Sequence, residues 1–435
     1  MLEAEALAEA KTSLESPSTV KNPPQDSSDV AAVRRKPSCK VLFLVTEDFS
    51  FWARRRPLAS KAQEAGAEVW VMTCPGPFAE KLKREGFRVI PWQVSRASLN
   101  PLRELRAFLQ VLKAYRSLRP DLVHHFALKP VVYGCLAART CKEISCVNSI
   151  VGLGHAFTSR HWTMRVVRRL LLPLLRLALI RDASTNIFQN KDNRNDLIQW
   201  GTVRADQSML IHGSGVNTTH FVPTPEPDGL PIVILPGRML WEKGVREFVV
   251  AAHALRAQGV SARFVLVGAP DAGHTTSIPV AQLQEWADSG VVEWWGEQDN
   301  MPEVFARSNL VCLPSYGEGV PRALIEAAAC GRAIVTYDVP GCREVVRDGE
   351  NGLLVPAHSA EALIRALATL IQDAPLRAQM GARGREIALR EFAEKLVLTQ
   401  VLAVYRDLLG HRWPGDAHAH FPCPVEFPAV PRSAT

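Results

Sequence analysis

Residues 310–327 read LVCLPSYGEGVPRALIEA, and the order of the parts in this stretch decides the fold. Four apolar residues, Leu310 to Leu313, have the length of a buried strand. Gly317 and Gly319 open a loop, Pro321 suits a first helical turn, and an apolar run interrupted by one acid, Glu326, follows. A strand that runs through a glycine-rich loop into a helix is the repeating unit of a parallel sheet, since parallel strands need a crossover.

The same alternation extends in both directions. KVLFLVT (40–46), EVWVMT (68–73), DLVHHF (121–126) and STNIFQ (184–189) read as strands, and segments such as 102–118 show helical spacing. The pattern pauses at VPTPEPDGLP (222–231), with four prolines in ten residues. It restarts with PIVILPG (231–237), RFVLVG (263–268), VVEWWG (291–296) and AIVTYD (333–338). The expected architecture is therefore α/β, with two Rossmann-like parallel-sheet domains, 39–222 and 232–392, around a linker at 223–231. A helix at 393–412 closes the chain before a Pro-rich tail at 413–435, and residues 1–38, lacking any apolar period, read as a disordered arm. Two such sheets form a cleft where the carboxyl ends of their strands face each other.

Bulk composition narrows the function classes. With 47% hydrophobic and 22% charged residues the chain is globular in character, and its longest apolar run, LLLPLL at 170–175, is too short to span a bilayer. No leader-like apolar segment is present, which argues against secretion. Nine scattered cysteines with no CxxC pair argue against a zinc site or a disulfide framework. The net charge is +7, but residues 1–230 carry 32 Lys and Arg against 21 Asp and Glu, so the first half is positioned to meet something anionic. No basic strand with interleaved aromatics is present, which places nucleic acid last among the candidates.

Three pieces of the second half carry chemistry. PGRMLWEKG (236–244) puts Arg238 and Lys243 on a loop that opens a helix, where fixed cations and free N–H groups suit a diphosphate. In the opening stretch, Glu318 stands on the loop and Glu326 sits inside an apolar helix, where an unpaired buried acid is costly. The first is suited to accept bonds from sugar hydroxyls, the second to hold a ribose. WWGEQDNMPEVF (294–305) places a turn at Trp295 where a flat base would lie against backbone amides. The plain alternatives are surface cations, a solvated acid and an ordinary strand end.

Taken together, GR-x4-KG (237–244), S-x-x-EG-x-P-x-x-L-x-EA (315–327), GCREVVRDGENGLLVP (341–356) and GSGVNTTHF (213–221) resemble the GT-B glycosyltransferases, and within them the retaining family 4. Asn217 stands where that family usually has Asp. The resemblance implies that Arg238, Lys243 and Gly237 serve the donor diphosphate, Glu326 the ribose, and Glu318 with the backbone of Gly319, Val320 and Pro321 the transferred sugar. It also implies a C-terminal helix that crosses back to the first domain. No DxD triplet occurs, so the expectation is a metal-independent reaction with no cofactor beyond the nucleotide-sugar.

In the first half, TEDFSFWARRRPLA (46–59), HHFALKPVVYGCLAAR (124–139) and NSIVGLGHAFTS (148–159) resemble a subgroup that extends bacterial polyprenyl-diphosphate-linked sugars. That resemblance implies an acceptor side with Asp48, Lys129, His124 and His155, and a sugar contact from His125, the choice among the three histidines staying open. Arg54 stands where relatives often have His. The stretch 163–181 interleaves Arg165, Arg168, Arg169, Arg176 and Arg181 with leucines, the composition of a helix lying on an anionic membrane face or of a core helix with a solvated side. The expected function is transfer of a hexosyl, N-acetylhexosaminyl, group from a UDP-sugar to a lipid-linked sugar acceptor, by a peripheral enzyme on the cytoplasmic face of the membrane. The rivals are a GT-B enzyme of other chemistry, such as a small-molecule glycosyltransferase or a nucleotide-sugar epimerase, and a non-catalytic membrane-bound scaffold.

Overall fold

A computed structural model describes residues 39–415 apart from 96, 97, 99, 142, 153–161 and 272, with backbone alone for 162–167 and 170. The arm at 1–38, most of the tail and His155 lie outside the described residues. The first lobe holds a seven-stranded sheet of β1 (Lys40–Glu47), β2 (Glu68–Cys74), β3 (Arg88–Pro91), β4 (Leu122–Phe126), β5 (Ser145–Ile150), β6 (Ser184–Phe188) and β7 (Ser208–Leu210), in the order 3-2-1-4-5-6-7. The second holds β8 (Ile232–Pro236), β9 (Arg263–Val267), β10 (Glu293–Gly296), β11 (Leu310–Leu313), β12 (Ala333–Tyr337) and β13 (Gly352–Val355), in the order 10-9-8-11-12-13. Every pairing within these sheets is parallel. Strand order reverses at β1/β4 and at β8/β11, the switch points where open parallel sheets bind ligands.

The crossovers of the first lobe are α1 (Asp48–Arg54), α2 (Arg56–Glu64), α3 (Ala79–Arg84), α4 (Pro101–Leu118), α5 (Leu128–Ala138), α6 (Trp162–Leu179) and α7 (Lys191–Gln199). Those of the second are α8 (Val245–Ala257), α9 (Val280–Asp288), α10 (Met301–Ala306), α11 (Arg322–Ala329), α12 (Cys342–Val345), α13 (Ala360–Gln372) and α14 (Ala374–Glu391), and α15 (Glu394–Leu409) follows. Sheet faces sort by residue parity. Val41, Phe43 and Val45 of β1 join one core with α1 and α2, whereas Leu42 and Leu44 join another with Tyr115 and Val111 of α4. Val397, Val401, Val404 and Tyr405 of α15 complete the first of these cores, so the C-terminal helix is part of the first lobe's packing.

Two chain crossings join the lobes, and they bond to each other. Val216 N donates to Phe392 O at 2.8 Å and Glu394 N donates to Val216 O at 2.9 Å. The approach is tight enough that a Cβ on Gly215, at φ 73°, would stand 2.6 Å from the Glu394 Cα, which makes glycine obligatory there. Asn217, in the place of the usual Asp, accepts from the N–H groups of Thr219 and His220 at 3.1 Å each, so the turn it caps does not need the charge. The Pro-rich segment after it is tied down: Arg377 pairs with Glu226 at 2.8 Å and Arg332 donates to Thr224 O at 2.8 Å.

Candidate active site

The β8 and β11 loops are welded together. Gly244 takes φ 72°, and a Cβ there would stand 2.0 Å from Pro314 O, so only glycine lets the first loop lie against the end of β11. Tyr316 N and Ser315 Oγ both donate to Glu242 O, at 3.0 and 3.1 Å. This contact carries Lys243 to Glu318, with which it forms an ion pair. Arg238 pairs with Asp271 at 2.5 Å, and Gly237, at φ 150°, has open space on the side where a Cβ would point.

Glu326 is 7% exposed on α11. One of its oxygens accepts from Arg322 Nε at 2.6 Å; the other has no protein partner among the described residues. Burial raises its pKa above the ordinary carboxylate value, opposed by Arg322 and Arg54. The first N–H groups of α11 are not capped by any side chain, and Pro321 precedes them. Arg54 draws the site together. It is solvent-exposed yet surrounded by the cleft walls, and its pKa is lowered by burial and by Arg322 and Arg238, while Glu318 and Glu326 oppose the shift.

The loop carrying Glu318 also forms the contact between lobes. Asn190, which caps α7 through Oδ1, donates from Nδ2 to Gly319 O at 2.8 Å, and Arg322 Nη1 donates to Ala53 O at 2.6 Å. A Cβ on Gly319 would stand 1.8 Å from Val151 O. Glycine at 319 therefore answers to the facing lobe, whereas Gly317 has open space around it. Val320 packs beside Gly213, and Glu344 of α12 accepts from Lys191 N at 2.9 Å. Sequence reasoning singled out neither Asn190 nor Arg322 as a site residue, because each acts through a partner more than 100 residues away.

On the acceptor side several expectations are corrected. His124 and His125 do not face the cleft together, since adjacent strand residues point to opposite faces. His125 lies inside the α4 side, fully buried, with Tyr115 OH 2.8 Å from Nε2 and Asn148 Oδ1 2.7 Å from Nδ1. Burial holds its pKa down at about 4, so the ring is neutral at physiological pH. His124 has Tyr405 OH at 2.6 Å and Ser149 OH at 2.8 Å on its two nitrogens, and burial pushes its pKa far down as well. Asp48 accepts from Phe49 N at 2.7 Å and Phe78 N at 2.8 Å, a brace for the loop after β2. Lys129 is committed to Glu104 at 2.8 Å and to the carbonyls of Ser95 and Ser98 at 2.9 and 3.0 Å. The Trp295 ring lies under Arg307 at 4.4 Å with its N–H on Glu293, which leaves its backbone turn, not its ring, beside the strand ends.

The arginine-rich helix is also reassigned in part. Leu175, Ala178 and Leu179 of α6 fill a core, Arg168 stacks on Trp200, and Arg181, beyond the helix, donates to Ile144 O. Among its described side chains, α6 exposes Leu174 and Leu177 with Arg169, Pro173 and Arg176. α4 carries a cleaner apolar stripe: Leu102, Leu105 and Leu109, at helical spacing, are 78%, 54% and 50% exposed, beside exposed Arg103 and Arg106. No helix among the described residues is long and apolar enough to cross a membrane.

Residues 40–189 match the model of the family described as Glycosyl transferase 4-like, and residues 216–387 that described as Glycosyl transferases group 1. The fold is that of the Anabaena protein HepE solved with UDP and glucose (TM-score 0.69, 20% identity, covering 84% of this chain and 99% of that one). The chain is a glycosyltransferase of the GT-B fold, with a 4-like domain followed by a group 1 domain. The transferase is 29% identical over 379 residues to the N,N'-diacetylbacillosaminyl-diphospho-undecaprenol alpha-1,3-N-acetylgalactosaminyltransferase of Campylobacter jejuni, covering 84% of this chain and 98% of that one. It is 28% identical over 348 residues to the 2-deoxystreptamine N-acetyl-D-glucosaminyltransferase of Streptomyces fradiae, covering 73% and 81%.

Proposed function

We propose that this transferase moves an N-acetylhexosaminyl group, with retention, from a UDP-sugar to a sugar linked to a polyprenyl diphosphate. The observation that carries the donor half is the convergence of Arg238, Lys243, Glu318 and Glu326 at the β8 and β11 strand ends, each already placed by packing. The acceptor half rests on the likeness to the Campylobacter enzyme along nearly that protein's full length.

The C1–oxygen bond to the diphosphate breaks as charge grows on the leaving group, which Arg238 and Lys243 neutralise. The acceptor hydroxyl bonds to C1 from the same face, and its proton passes to a leaving phosphate oxygen. Arg238, Lys243 and the α11 N-terminus make the step metal-free in this proposal. Docking would use the exposed leucines of α4 and of α6, whose flanking arginines suit an anionic membrane face on the cytoplasmic side. The test is thermal unfolding with UDP, GDP, ADP and CMP, with and without EDTA, followed by transfer from UDP-N-acetylhexosamines to a short-chain lipid-linked acceptor. A ligand at 100 times its Kd adds about 2.7 kcal/mol of stability. An EDTA-resistant shift with UDP and incorporation into lipid are expected; no shift with any nucleotide overturns the donor site, and donor turnover without lipid product points to other GT-B chemistry.

A further inference from the structure

Five basic side chains stand around the cleft, and they are not equally provided for. Arg238 has Asp271, Lys243 has Glu318 and Arg322 has Glu326. Arg54 and Arg55 have no carboxylate partner among the described residues. Arg55 is the sharper case. It is 8% exposed, its guanidinium lies 4.3 Å over the Phe126 ring, and its buried Nε has no hydrogen-bond partner. The charged or titratable groups that bear on it are Arg54, Arg322 and the Tyr405 phenol, so no acid offsets its burial, which pulls its pKa down to about 9. A buried cation left without a counter-charge is costly and calls for an anion.

Both arginines line a narrow cavity of about 20 Å³ under α15, with Ser149, Ser214 and Gln189 on its polar side and Leu58, Ile187, Ile211 and Val401 among its apolar walls. Its wall includes Gly213, which packs beside Val320 of the donor loop, so the cavity adjoins the sugar end of the donor site. We propose that Arg54 and Arg55 form a second oxyanion site, separate from Arg238 and Lys243, that takes the phosphoryl end of the acceptor's diphosphate. The assignment rests on the acceptor reading given above. Arg55, on which no carboxylate bears, and Arg54, which no carboxylate bonds, together match the two charges of a diphosphate diester, where a carboxylate ligand would leave one unmatched. Ser214 and the Gln189 amide supply the remaining donors, the Ser149 hydroxyl being held on His124, and a guanidinium fork suits phosphate oxygens. An acceptor whose attacked hydroxyl is on the sugar attached to the diphosphate needs its phosphate near the reacting carbon, and the cavity's place beside Val320 supplies that.

The test uses the full chain saturated with UDP, which occupies the donor diphosphate site. Unfolding temperature is followed as inorganic phosphate or pyrophosphate is raised at constant ionic strength. A saturable rise is expected in the wild type and its loss in Arg54→Gln and Arg55→Met. With lipid-linked acceptor, Arg54→Gln raises the acceptor KM roughly tenfold or more, the value of one charge-assisted bond, and pyrophosphate competes with acceptor. Arg54 is exposed, so that variant tests the site even if Arg55→Met fails to fold. No phosphate effect in the presence of UDP, or an effect retained in Arg54→Gln, overturns the site. A saturable phosphate effect that does not compete with acceptor overturns the acceptor assignment and marks a site for free phosphate. Failure of UDP itself to shift the protein counts against the donor reading and is read separately.

Discussion

Replacing Glu326 with Gln separates function from stability. Burial raises the folded pKa of Glu326 above its unfolded value, so the folded chain binds the more protons between the two. For a raised carboxyl the sign is adverse: stability is greatest below the unfolded pKa and falls as pH rises through the folded one. At neutral pH the ionised side chain therefore costs stability, and Glu326→Gln is expected to unfold at the same temperature as the wild type or higher. Its effect on donor binding has the opposite sign. A carboxylate oxygen without a protein partner that accepts from ribose hydroxyls contributes about 1.5–3 kcal/mol per charge-assisted bond. The variant should weaken UDP-sugar binding about ten- to a hundredfold by calorimetry. Wild-type affinity should also fall as pH is lowered through a window just above the usual carboxylate range, and the Gln variant should be flat there. UDP-sugar is the ligand of choice because its diphosphate diester gains no proton in that window, whereas the terminal phosphate of UDP does. A Kd within threefold of wild type, or the same pH profile in both proteins, refutes the ribose assignment.

Lys243→Ala should lower transfer by more than tenfold with the fold intact; a smaller loss would place the diphosphate elsewhere. His125→Ala strands Tyr115 OH and Asn148 in the interior, at about 1–3 kcal/mol for a buried group left unpaired, so it should unfold several degrees earlier while kcat per folded molecule stays within about threefold. A selective loss of kcat would return His125 to the chemistry. Leu105→Glu with Leu109→Glu should release the protein from anionic vesicles in flotation, each leucine being worth about 1.5–3 kcal/mol when buried; unchanged flotation would assign the docking face to another surface.

The long apolar strands were legible because burial on both faces leaves a continuous apolar run, as in Leu310–Leu313. β5 was not, for the reverse reason. SCVNSI is buried throughout yet half polar, and Asn148 is tolerated because it bonds His125, Ser184 and Asn186 at once. β3 and β7 are short edge strands whose few residues give no period. The strand, loop and helix that bring Glu318 and Glu326 together were readable because glycines and acids there stand at fixed spacing along one segment. The internal bonds of Asp48 and Lys129 were not legible, because sequence does not distinguish a side chain that binds substrate from one that binds backbone.

The pairing within the donor site bears on how it works. Lys243 already has Glu318, and Arg238 already has Asp271, so neither cation waits unpaired for the donor. On the proposed donor reading, an entering diphosphate would take the place of those carboxylates, and the cations would exchange one anion for another without a new desolvation cost. Glu318 is thereby released at the position where the sugar hydroxyls arrive. The loop that carries it is held to the other lobe through Gly319 and Asn190, and α11 is held through Arg322 and Ala53. The contact between lobes and the placement of Glu318 are therefore coupled, and on the proposed reading a donor whose hydroxyls cannot satisfy Glu318 would leave a half-buried carboxylate unpaired. Sugar selectivity in this transferase should therefore appear as a penalty for the wrong donor, set by that carboxylate, more than as a reward for the right one.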